Sequence, residues 1–134
     1  KSVLGTTKEY SEWISEQVGG ETFQWYQVNR QELAKYDLVV VASGPYEHWT
    51  PLTDYLEKNW DILKDKEVIV VCVGEIPSEK GINWEPKEKI KDEIWEKVKY
   101  YKLPGRLNPK TADLVSKERV TPIVEYIKKV SKED

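Results

Sequence analysis

The sequence has no methionine, one cysteine (Cys72), one histidine (His48) and one phenylalanine (Phe23). Each shortage excludes something. A single cysteine leaves no internal disulfide and suits a reducing, cytoplasmic setting. It lies inside the apolar run VIVVCVG, where a thiol reads as buried and inert rather than nucleophilic. A single histidine leaves no paired-His metal motif, and there is no CxxC, no Ser/His/Asp set and no placed carboxylate dyad. No apolar run approaches the roughly 20 residues that cross a bilayer, and the start is not signal-like. Basic residues number 21 against 24 acidic ones, a net charge of −3, which gives no electrostatic case for nucleic acid or an anionic membrane. The lack of even an initiator Met reads as a processed or truncated chain, or one whose methionines are not recorded.

What remains is one domain's worth of chain, residues 1–134, rich in Trp (6) and Tyr (8), aromatic rings that carry a polar handle. Apolar residues at Tyr10, Trp13, Ile14 and Val18 predict a helix over 7–18, capped by Thr6 or Thr7 and stopped at Gly19-Gly20. TFQWYQV (22–28) has strand composition. Asn29 with Glu32 predicts a capped one-turn helix ending near Tyr36. DLVVVAS (37–43) and EVIVVCV (67–73) are near-continuous apolar runs, the pattern of strands covered on both faces in a parallel sheet. Between them Thr50 caps and Pro51 starts a helix whose Leu52, Tyr55, Leu56 and Leu63 share a face, so the unit is a βαβ crossover.

Downstream, 74–86 reads as a loop, and Pro86 begins a helix with Ile90 and Ile94 inward. KVKYYKL (97–103) is a strand ended by Pro104-Gly105. Residues 106–117 have no assigned structure. Thr121-Pro122 begins a last helix that packs through Ile123, Val124 and Ile127. The alternation is that of an α/β, doubly wound domain. Ligands in such sheets bind at the carboxyl ends of strands, which directs attention to loops 1–7, 44–50, 74–77 and 104–110.

In SVLGTTK, Ser2, Thr6 and Thr7 offer hydroxyls and Gly5 allows close approach of backbone amides at a helix N-terminus. That chemistry suits a phosphomonoester. The same residues also make an ordinary Ser/Thr-capped helix, and neither the Gly-Lys-Ser/Thr nor the GxGxxG spacing is present. In SGPYEHWTP (43–51), Tyr46, His48 and Trp49 can stack on or bond to a planar heterocycle, or Trp49 can pack on the helix it opens. In VGEIP (73–77), Gly74 exposes backbone amides, and Glu75 is either a ligand neighbour or a solvated loop acid. Without a side-chain acid–base or nucleophilic set, any chemistry here is a cofactor's.

The stretch KSVLGTTKEYSEWI resembles the phosphate loop and first helix of flavodoxins, with Ser2, Gly5 and Thr7 at the matching positions. LAKYDLVVVASGPY, PLTDYLEKNWDILKDKEVIVVCVG and VKYYKLPGRLNP extend the match. Together these segments resemble the flavodoxin-domain family, including relatives of menaquinone-dependent protoporphyrinogen oxidase. The resemblance implies a flavodoxin-like parallel sheet in the order 2-1-3-4-5, helices on both faces, and noncovalent FMN. It implies that Ser2, Val3, Leu4, Gly5, Thr6 and Thr7 hold the FMN phosphate. Gly44, Pro45, Tyr46 and Trp49 would flank one side of the ring system, with Val73, Gly74 and Glu75 on the other.

The implied role is electron transfer, or a small flavin oxidoreductase, with a redox protein, a quinone or a porphyrinogen as partner. A second reading is a non-redox interaction domain that has kept the fold and lost FMN. Three departures from the family pattern stand out. The loop after the third strand and the segment after LPGR are short, and the first strand is missing ahead of the phosphate loop. An apolar strand is therefore expected just before Lys1, either beyond this sequence or supplied by another chain, because an empty slot would leave sheet amides without partners.

Overall fold

A computed structural model describes residues 6–20, 22–23, 29–43, 49–74, 91–104 and 116–131. Helix α1 (Thr6–Val18) forms where the spacing predicts it. Tyr10 and Ile14 are buried, and Trp13 and Val18 are half-buried beside them. Gly19 ends it with φ of 77°, a left-handed conformation that glycine adopts without a Cβ penalty, and its N–H donates to the Ser15 carbonyl at 2.8 Å. Helix α2 (Arg30–Ala34) is the expected capped turn: Asn29 Oδ1 accepts the N–H of Glu32 at 2.7 Å. Its far end is satisfied by Lys66, whose Nζ donates to the carbonyls of Ala34, at 3.2 Å, and Tyr36.

Strands β1 (Leu38–Ser43), β2 (Glu67–Gly74) and β3 (Val98–Pro104) form a parallel sheet in the order β1-β2-β3. Three parallel strands agree with the expected parallel sheet. The remainder of the 2-1-3-4-5 order falls outside the described residues. Of the strand expected over 22–28, Thr22 and Phe23 are irregular, and 24–28 also lie outside.

The central strand explains why the sequence shows apolar runs rather than alternation. Ile69, Val71 and Val73 face one side, where they meet Tyr10 and Ile14 of α1 and Ile123, Val124 and Ile127 of α6 (Thr121–Ser131). Val68 and Val70 face the other, where Leu33 of α2, Leu56, Leu63 and Ile94 pack. All five strand residues are buried, so both faces of β2 are core. The α/β layering with helices on both faces is thus present in the described residues.

The connection from β1 to β2 departs from the expected single helix. It divides into α3 (Trp49–Lys58) and α4 (Trp60–Leu63), with Asn59 between them at φ −108°, ψ 10°. The cause is local. Asn59 Nδ2 donates to the Tyr55 carbonyl at 2.9 Å, a side-chain bond that competes with continued helix, and the Asn59 carbonyl restarts the next turn by accepting from Ile62 and Leu63. The helix also begins at Trp49, ahead of the expected cap at Thr50.

The helix expected from Pro86 through Ile94 is corrected too. Lys91 is extended (φ −61°, ψ 144°), so α5 (Asp92–Trp95) is a separate single turn, while Pro86 and Ile90 lie outside the described residues. Ile94 faces inward as expected, 1% exposed. A 3-10 turn (Lys117–Val120) precedes α6 and buries Val120, in a stretch whose sequence showed no periodicity.

Arg30 staples the amino-terminal edge. Its guanidinium donates to Asp61 Oδ2 at 2.5 Å, the Lys58 carbonyl at 3.3 Å and Asn59 Oδ1 at 3.4 Å. The Arg30 hydrogen bond holds the Asp61 carboxyl below its usual range. A depressed carboxylate stabilises the fold above the unfolded-state pKa of roughly 4, and that contribution is lost as pH falls through the folded value. Arg30→Met is therefore expected to lower the urea midpoint at pH 7. The gap to the unsubstituted chain should narrow in unfolding curves taken below about pH 4. A gap that stays constant with pH would remove the Asp61 linkage.

Candidate functional site

The ends of the strands define the site. Among the described residues β2 pairs with β1 through Ser43 opposite Cys72 and with β3 through Gly74 opposite Pro104. Val73 and Gly74 close β2 at the carboxyl edge of the sheet.

Val73 itself is 2% exposed and packs in the same cluster as Leu103, so its side chain belongs to the core. Anything it offers to a ligand comes from its backbone. Gly74 follows as the last residue of the strand. The two together form a main-chain ledge beside the end of β1.

Helix α3 must return the chain from the carboxyl end of β1 to the amino end of β2, because the two strands are parallel. Trp49, its first residue, thus stands at the same edge as the ledge. Thr6 and Thr7 open α1, where unsatisfied backbone amides and the helix dipole favour an anion. Tyr10, one turn further on and 1% exposed, fixes the helix to the sheet, with its ring 5.7 Å from that of Trp13 in an edge-on contact. Ser2, Val3, Leu4, Gly5, Gly44, Pro45, Tyr46, His48 and Glu75 lie outside the described residues.

Other features do not compete. Glu12, Ser15, Glu16 and Thr22 line a shallow concavity on α1. Glu16 there is ion-paired with Lys117 at 3.2 Å, so that concavity is an ordinary solvated surface. Among the described residues no cluster of His, Cys, Asp or Glu could hold a metal ion, and no helix is long and apolar enough to cross a membrane.

One residue near the ledge escaped the reading of the sequence. Lys102 stands opposite Cys72 in the ladder, two residues short of the end of β3. The signal was there in KYYKL. With Leu103 facing the α1 and α6 side, alternation turns Lys102 to the opposite, α5-bearing side of the sheet.

A family model described as a flavodoxin domain matches residues 1–134. Neither the curated proteins nor the solved structures gave a match to the chain.

Proposed function

The chain belongs to the flavodoxin-domain family, and from that premise we propose that it is an FMN-binding redox protein. What supports the reading is the carboxyl edge of the parallel sheet, where Val73–Gly74 at the end of β2 stand beside the end of β1 and on the same edge as the start of α3. The donor chemistry fits FMN. A planar ring with a polar rim needs main-chain hydrogen bonds and a flat apolar cover. A phosphomonoester needs hydroxyls and helix-terminal amides.

In this reading the hydroxyls of Ser2, Thr6 and Thr7, with the amides of Val3, Leu4 and Gly5, hold the phosphate. Gly44, Pro45, Tyr46 and Trp49 cover one face of the ring. Val73, Gly74 and Glu75 meet its other side through the backbone. Bound there, FMN supplies reversible one- or two-electron transfer. The protein's own part is to hold the ring, exclude water from its buried side and fix the charge around it.

The physiological role divides between an electron carrier and a small oxidoreductase of the protoporphyrinogen-oxidase type, acting with a quinone or porphyrinogen. A net charge of −3 would steer a basic redox protein toward the carrier's open edge.

The experiment is a titration of the flavin-free chain with FMN, followed by quenching of flavin fluorescence and by the shift of the yellow absorbance bands. A saturable 1:1 complex is expected. No bound flavin at excess FMN would leave the interaction-domain reading in its place.

A further inference from the structure

One guanidinium spans the joint between α3 and α4. Arg30 Nη1 donates to the carbonyl of Lys58, the last residue of α3, at 3.3 Å and to Asn59 Oδ1 at 3.4 Å. Its Nη2 donates to Asp61 Oδ2, in the first turn of α4, at 2.5 Å. Each contact falls on a different part of the connection: the end of one helix, the residue between, and the start of the next. A planar fork with donors on both arms can hold all three together, which a point charge cannot. The cation also suits the negative end of α3.

The joint itself is narrow. Asn59 leaves the helical region, and the bonds that cross the break converge on it. Its N–H and Nδ2 both donate to the Tyr55 carbonyl, at 3.1 and 2.9 Å, and its carbonyl accepts from Ile62 and Leu63 at 3.0 Å each. Leu56 and Leu63, both 0% exposed, anchor the two helices in one core cluster on either side of the break. Arg30 reaches the joint from α2, which Leu33 holds in the same cluster. The guanidinium therefore ties the joint to a third element. The start of α3 lies at the carboxyl edge, about 15 Å from Asn59 by the helical rise. A change of angle at Asn59 is thus largest at the end of α3 nearest the candidate site.

We propose that Arg30 locks this joint and so fixes where α3 begins at the carboxyl edge of the sheet. With the lock engaged, α3 and α4 are held together against α2. Without it, α3 opens locally about Asn59 while the sheet stays closed. The lock stands on the contacts above, and its consequence for a ligand rests on the FMN reading. Arg30 is a positioning residue that acts through α3 and touches no ligand.

Hydrogen exchange of the flavin-free full chain, read by mass spectrometry, tests the lock. In Arg30→Met the amides of α3 should exchange about tenfold faster than in the unsubstituted chain, beyond any change in β2 and α6. Arg30→Lys keeps the charge without the fork and should accelerate the same amides. Acceleration shared equally by α3, β2 and α6 would mean a loss of global stability alone, and unchanged exchange in α3 would make Arg30 an ordinary surface pair. Either result overturns the proposal, as would an Arg30→Lys variant that exchanges like the unsubstituted chain. FMN titration of the same variants is the second readout: faster exchange in α3 should come with a severalfold rise in the dissociation constant. Unchanged FMN affinity alongside faster exchange would overturn the link from the joint to the site. An unsubstituted chain that binds no FMN would sink the FMN reading, while the exchange result still decides the lock. Should Arg30→Met not fold, Arg30→Gln is measured by the same criteria.

Discussion

Thr7→Glu is expected to weaken FMN binding by about 100-fold or more while leaving the chain at least as stable as before. The two effects have one cause. Thr7 lies in the first turn of α1, where backbone amides have no intrahelical partners and the dipole is positive. A carboxylate in that turn satisfies the same field that a phosphate would use, and contributes about 0.3–1 kcal/mol to the helix. On the FMN reading proposed above, it also places a fixed negative charge where the phosphate would sit and removes the hydroxyl assigned to it. Charge-assisted hydrogen bonds contribute about 1.5–3 kcal/mol each. Losing one or two of them, with repulsion added, gives at least the ~2.7 kcal/mol that 100-fold represents. FMN fluorescence titration and thermal melting of the flavin-free chain measure the two quantities. A variant that binds FMN normally would move the phosphate away from this helix. A variant that loses both binding and stability would mean that Thr7 supports the helix in a way that a carboxylate cannot replace.

The opposed signs make this experiment informative. Most substitutions that abolish ligand binding also damage the fold, and the two losses are then hard to separate. Here the helix terminus is indifferent to whether its anion is covalent or bound, so the ligand can be displaced by a group that the fold prefers.

Elements with a strong local signature were legible in the sequence. Helix α1 carries its apolar stripe at Tyr10, Ile14 and Val18 and its stop at Gly19; α2 carries its cap at Asn29; α6 carries Pro122 near its start and Ile123, Val124 and Ile127 on its inner face. Strands β1 and β2 announced themselves as uninterrupted apolar runs because both their faces are covered.

The misses fall where a single side chain overrides the pattern. Asn59 splits one periodic segment into α3 and α4 by hydrogen-bonding back to Tyr55, and periodicity contains no trace of that competition. Lys91 takes an extended conformation at the point where the expected helix should continue. The 3-10 turn before α6 is held by the burial of Val120 rather than by any local repeat.

At the candidate site, the residue types that suit a phosphate or a flat ring could be read from SVLGTTK, SGPYEHW and VGE. The placing of Val73–Gly74 beside the end of β1 could not, because it depends on the register of two parallel strands. Nor does a string of letters separate the core side chain of Val73 from its ligand-facing backbone. Lys102 was overlooked for a related reason. In the sequence it looks like one more charge in a chain that is 34% charged, and only the register with Cys72 places it near the ledge.

Leu56→Ala and Ile123→Ala should each destabilise the chain by about 2–5 kcal/mol, and the double variant by close to the sum. Both side chains are fully buried, at 0% exposure, and each belongs to one of the two core clusters. Truncation at either site removes apolar contact and leaves a cavity that rigid neighbours only partly fill. Ile69 and Val70 back the two clusters from opposite faces of one strand, so β2 lies between the cavities and the two sites belong to different clusters. Sites separated in this way add to within about 0.5 kcal/mol. Against a typical total of about 5–15 kcal/mol, the double variant should be largely unfolded at room temperature, while each single variant retains a cooperative transition. Urea unfolding followed by tryptophan fluorescence measures all three. A coupling energy well above 0.5 kcal/mol would mean that β2 shifts as a body when either face is hollowed. The ledge at Val73–Gly74, carried at the end of that strand, would then be sensitive to packing on both sides of the sheet.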